Sequence, residues 1–169
     1  MNHTPNIDAD LQENLRSIYE EVMWLSRRPN VTSSRARAWY THIMAESVKR
    51  KLRYFTGSVS KGAIEQKHGQ LMLEHYLRIQ TRLSALVEKH RAASANDPDE
   101  FINLLIKCEQ VHIVTRDENY DAMRGKGDYV LAKIHLVSWN EIPLERQTEL
   151  WRTMLKGKVA NAAAFAPTA

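Results

Sequence analysis

Histidine is the side chain whose ordinary pKa suits it to proton transfer near neutral pH, and the sequence holds seven of them. Three, His75, His90 and His112, lie on or beside runs of apolar residues. A polar ring in such a place is either a satisfied core group, the commoner case, or the floor of a polar site. In the second case one of these histidines would be the general acid/base of a hydrolase acting on nucleic acid or nucleotides, with Arg78 or Arg82 as a phosphate clamp. No nucleophile is marked by spacing. The P-loop, G-x-G-x-x-G, H-E-x-x-H and G-x-S-x-G patterns are all absent, so the sequence leaves open whether the protein is an enzyme.

Two Glu-x-x-His pairs, Glu65/His68 and Glu109/His112, have the spacing that gives two ligands to a carboxylate-bridged metal pair in helical bundles. The second pair runs into a β-type segment, which breaks that geometry. No metal site and no cofactor are expected.

The cations carry a different chemistry. The net charge is only +4, but residues 1–34, 35–92 and 93–169 contribute −2, +8 and −2. A basic middle segment is the electrostatic footprint of a polyanion partner, usually nucleic acid. Placed on a helix, Arg35, Trp39, His42, Glu46, Lys49, Arg50 and Arg53 share one face, and Tyr40, Ile43, Met44, Val48, Leu52 and Phe55 share the other. Cations so spaced neutralise successive phosphates, and Trp39 among them would stack on a base. Lys61 and Lys67 follow closely. The leading expectation is therefore a nucleic-acid-binding protein, DNA or RNA, that grips the phosphate backbone through a basic helix over 35–53. The hydrolase above is one alternative. Another is a non-catalytic interaction module, in which the +8 segment docks an acidic protein surface and the C-terminal unit mediates dimerisation. The plain structural reading of the basic face is that Trp39 packs on a neighbouring helix and the arginines pair with acids such as Glu20 and Glu21.

These residues must be positioned by a chain of 169 residues with 43% hydrophobic and 26% charged side chains, a composition that folds rather than staying disordered. The single cysteine, Cys108, rules out an internal disulfide. No apolar run approaches membrane-spanning length, and the first residues lack the basic and apolar regions of an export signal, so a cytoplasmic, non-membrane protein is expected.

Periodicity predicts a first helix from about Asp8 or Asp10 to Arg28, with Asp10 and Glu13 at capping-box spacing. A second runs from Thr32–Ser34 to Phe55. A short helix is expected at Ser60–His68, and a central core helix carries Met72, Tyr76, Ile79, Leu83, Leu86, Val87 and His90 on one face. Asp97-Pro98-Asp99-Glu100 opens another. The period then changes: Val111–Thr115 and Ile134–Trp139 have strand character. Thr115 and Glu118 cap a helix between them that closes at Gly125-Lys126-Gly127. Strand, helix, strand predicts a parallel crossover. A last helix runs from Pro143 to Lys156. The expected fold is α+β: one mostly helical domain over 1–159, with a small two- or three-stranded βαβ-like C-terminal unit, and a disordered tail over 160–169. So small a sheet needs cover or completion, and a homodimer is one way to supply it.

Overall fold

A computed structural model describes residues 7–43, 46–66 and 68–167. Met44 and Lys67, assigned above to the apolar face and to the cation set, lie outside the described residues. In chain order the elements are α1 (Ala9–Ser26), α2 (Ser33–Ile43), α3 (Glu46–Leu52), β1 (Tyr54–Ser60), α4 (Lys61–Glu65), β2 (Leu71–His75), α5 (Ile79–Ala92), α6 (Pro98–Cys108), β3 (Gln110–Thr115), α7 (Arg116–Arg124), β4 (Leu136–Ser138) and α8 (Leu144–Leu150). A π-type turn, Trp151–Leu155, extends α8, and a 3-10 turn follows at Ala162–Phe165.

The chain divides into two compact units, each built from two stretches of sequence. The first takes the described residues up to Leu52 together with Leu77–Glu109 and is wholly helical. Asp8 caps α1 by accepting the Leu11 N–H, so the cap is Asp8 rather than Asp10. Steps of four and three then bury Leu11, Leu15, Tyr19 and Val22. They pack with Leu83 and Val87 of α5 and Phe101 and Leu105 of α6. Asp97 caps α6 through the Glu100 N–H, with Pro98 in the first turn, as its sequence predicts.

The second unit, Arg53–Tyr76 and Gln110 onward, contains a four-stranded mixed sheet of order β2-β3-β1-β4. β1 and β3 are parallel; the other two pairings are antiparallel. One face is apolar: Phe55, Val59, Val111 and Ile113 pack with Trp139, Leu150 and Leu155. α7 packs on β2 and β3.

The mostly helical α+β class is observed, but the sheet spans residues 54–138 and is not C-terminal. Three expectations are corrected. The helix drawn to Phe55 ends at Leu52, because Phe55 and Val59 are buried as strand residues against β3. The central helix starts at Ile79, not Met72. Leu71–His75 are mostly strong helix formers, yet an antiparallel ladder from Leu71↔Thr115 to His75↔Val111 holds them extended, so tertiary pairing overrides local propensity. Finally, β3 and β4 do not pair: both flank β1, and β4 runs antiparallel to it. From the stretch expected as a tail, Asn161 exchanges two hydrogen bonds with the Phe55 backbone and Phe165 stacks edge-on with Phe55 at 4.7 Å. Among the described residues no helix is long and apolar enough to cross a membrane.

Candidate functional site

The sheet face opposite the apolar core carries a polar cluster. Its geometry begins with an irregularity in β1: Phe55 pairs with Val111 and Val59 with Ile113, so β1 advances four residues while β3 advances two. The surplus is absorbed at Thr56-Gly57-Ser58, where Gly57 takes φ +84°. L side chains rarely adopt that conformation, and a Cβ there would also sit 3.3 Å from the Phe165 ring. Bulges of this kind re-aim side chains. Here Thr56 is solvent-exposed and its hydroxyl lies 2.5 Å from Nδ1 of His112 on β3.

His112 is 6% exposed. Its Nε2 is shielded from solvent and has no hydrogen-bond partner among the described residues. Tyr76 and Tyr129 meet the ring edge-on, both at 5.5 Å between centroids. Glu74, directly opposite His112 in the β2–β3 ladder, is buried and accepts the Tyr129 hydroxyl hydrogen. Burial holds the His112 imidazole down to about 4, so it is neutral at physiological pH. Burial and the Glu74 carboxylate push the Tyr129 phenol far up, which keeps it a donor.

The backbone N–H of Ser58 donates to the Thr56 oxygen. In the tautomer with the ring proton on Nε2, the threonine hydrogen points at Nδ1. That tautomer gives a hydroxyl on an imidazole base, the pairing used in acyl and phosphoryl transfer. No family model, curated protein or solved structure matches the chain.

The three histidines singled out by the sequence have different surroundings. His75 follows Glu74 by one residue and pairs with Val111, so strand alternation turns it to the other face of the sheet from His112. Burial and the nearby Arg53 charge hold it down to about 4. His90 belongs to the helical unit and is 1% exposed. The Asp97 N–H donates to the Tyr19 oxygen, the Tyr19 hydroxyl then donates to His90 Nδ1 (2.9 Å), and His90 Nε2 donates to Glu100 (2.8 Å). Both ring nitrogens are thus used in tying α1, α5 and α6 together.

The cations are less uniform than a single basic face. Arg35 is exposed. Lys49 donates to the Thr41 carbonyl, Arg50 lies 3.8 Å from Glu46, and Lys61 3.7 Å from Glu65. Arg53 belongs to the second unit, beside His75. Trp39 lines a cleft with Glu20 and Glu21. Among the described residues no three His, Cys, Asp or Glu side chains come together as a metal-binding group.

Thr115 and Glu118 form a complete capping box. The Glu118 carboxylate also accepts the Ser60 hydroxyl hydrogen, which pins α7 to the end of β1. Glu74 escapes a sequence reading that places 72–90 on a helix, Thr56 one that treats it as the end of a helix over 32–55, and Tyr129 carries no local signal. The one local signal is Thr56-Gly57-Ser58, a glycine between two hydroxyl residues in a β-branched and aromatic stretch.

Proposed function

We propose that the second unit carries an acid–base site made of Thr56 and His112, and that the protein is a hydrolase of phosphate esters in nucleic acids or nucleotides. The observation that carries this reading is an exposed hydroxyl hydrogen-bonded to a buried, neutral imidazole whose other nitrogen has no partner among the described residues. His112 takes the Thr56 proton as Oγ1 attacks phosphorus and passes it to the ester oxygen as the P–O ester bond breaks and the alcohol leaves. In the second step His112 takes a proton from the attacking water and returns it to Oγ1 as the P–Oγ1 bond breaks, which releases phosphate and restores Thr56. Tyr129 stays neutral beside the ring and donates its hydrogen to Glu74.

The test is turnover of short DNA, RNA and nucleotide substrates with and without divalent cations. Thr56→Val and His112→Gln should each remove it in a folded protein. Because the base is active while unprotonated, the acid limb of kcat/KM should fall near pH 4 rather than near 6.5. A folded His112→Gln protein with full turnover would refute the assignment.

The nucleic-acid-binding reading through α2 and α3 is favoured by one observation: Arg35, Arg50 and Lys51 on these successive helices are all exposed. Arg50→Glu combined with Lys51→Glu should then weaken oligonucleotide binding and flatten its salt slope. Unchanged binding would exclude it.

A further inference from the structure

Two of the four tryptophans are exposed large apolar side chains, Trp24 on α1 at 59% and Trp39 on α2 at 45%. Both helices belong to the helical unit. With Leu25, the two indoles line a cleft of about 530 Å³, and among the described residues its other lining side chains are Glu20 and Glu21. Both glutamates are exposed, and neither has a salt-bridge partner among the described residues. Exposed indoles cost free energy in water and are kept where something covers them. The chemistry around them says what: aromatic faces attract cations through their quadrupole, and two carboxylates add charge-assisted hydrogen-bond acceptors.

The same unit shows the favoured partner in miniature. The Arg28 guanidinium sits 4.3 Å from the centroid of the Trp24 ring. That contact occupies Trp24 from its own helix end and leaves Trp39, Glu20 and Glu21 to be satisfied. A planar guanidinium stacks on an indole and bonds a carboxylate in one pose, which an ammonium does less well. The apolar lining from Leu25 and the indole edges suits aliphatic side chains flanking the cation. A nucleic acid is disfavoured, because its phosphates would face Glu20 and Glu21.

We propose that the Trp24–Trp39 cleft is a docking site for a polypeptide segment of another protein that presents arginine beside leucine-type side chains. This is independent of the Thr56–His112 reading.

The probes are blocked hexapeptides alternating leucine with arginine, lysine or glutamate, and a single-stranded oligonucleotide. Each is titrated against the full chain, with binding read from backbone amide shifts in α1 and α2 and from tryptophan emission. The arginine peptide should shift α1 and α2 amides saturably, bind several-fold tighter than the lysine peptide, and outcompete the glutamate peptide entirely. Trp39→Ala should abolish the effect, and Glu20→Gln with Glu21→Gln should weaken it about tenfold; all three positions are exposed, so these variants fold. The proposal is overturned if no peptide shifts these amides, if the glutamate peptide binds equally, if binding survives Trp39→Ala, or if the oligonucleotide alone occupies the cleft.

Discussion

Replacing His112 by Gln removes one titrating ring while keeping a neutral polar side chain of similar reach, and its effect on the pH dependence of stability can be worked out. In the unfolded chain the imidazole protonates near 6.5, and in the fold near 4, because burial disfavours the cation. The folded pKa is depressed, so the unfolded state takes up the proton first. Stability is whole above about pH 7 and declines as the pH falls from 6.5 towards 4. The fall from 6.5 to about 4 corresponds to about 3 kcal/mol at the acid end, and to about 2 kcal/mol lost at pH 5. His75 shifts in the same direction, so only the difference between wild type and variant isolates His112. Urea unfolding at pH 7 and pH 5 should show the wild type losing about 2 kcal/mol more than His112→Gln between the two. Imidazole NMR of the wild type gives the same quantity without any variant: the ring should stay neutral down to about pH 5. A native-state midpoint near 6.5, or equal losses in wild type and variant, would refute the burial argument and with it the neutral base.

Other perturbations reach different parts of the structure. Tyr19→Phe leaves the Asp97 N–H and His90 Nδ1 without their shared hydroxyl and should cost about 1–3 kcal/mol in urea unfolding, with turnover unchanged. Gly57→Ala puts a Cβ at positive φ against Phe165 and should cost about 1–2 kcal/mol or more while perturbing the Thr56–His112 pair, visible as a changed His112 ring shift. Cys108 is fully buried and burial pushes its thiol up to about 11, so a thiol reagent at pH 8 should label it only after denaturation.

What could be read from the sequence was local. The caps at Asp97 and Thr115 announce themselves because a short polar side chain and an acid three residues on satisfy orphan N–H groups without help from elsewhere. The strand between α6 and α7 shows for the same reason, through its own β-branched run. β1 and β2 do not show. The apolar pattern of α2 and α3 continues in helical register into Phe55, and Leu71–Glu74 prefer a helix when considered alone. What makes both into strands is β3, which follows β1 by about fifty residues. The site was half legible for that reason: His112 lies on the readable strand, whereas Thr56 and Glu74 lie on the two hidden ones.

The strand order has a consequence for synthesis. β1 bonds only to β3 and β4, and β2 only to β3, so a nascent chain that has emerged as far as Glu109 holds every residue of the helical unit and two strands with nothing to pair with. β3 is the clasp that joins them, and it arrives last of the three. A chain that has emerged only to Glu109 displays strands with unsatisfied edges, the form in which strands associate with other chains. Six more residues, through Thr115, join the two strands, and Leu136–Ser138 then cover the other edge of β1, which makes the interval between Tyr76 and Ser138 the stretch in which this protein most depends on speed or on a chaperone.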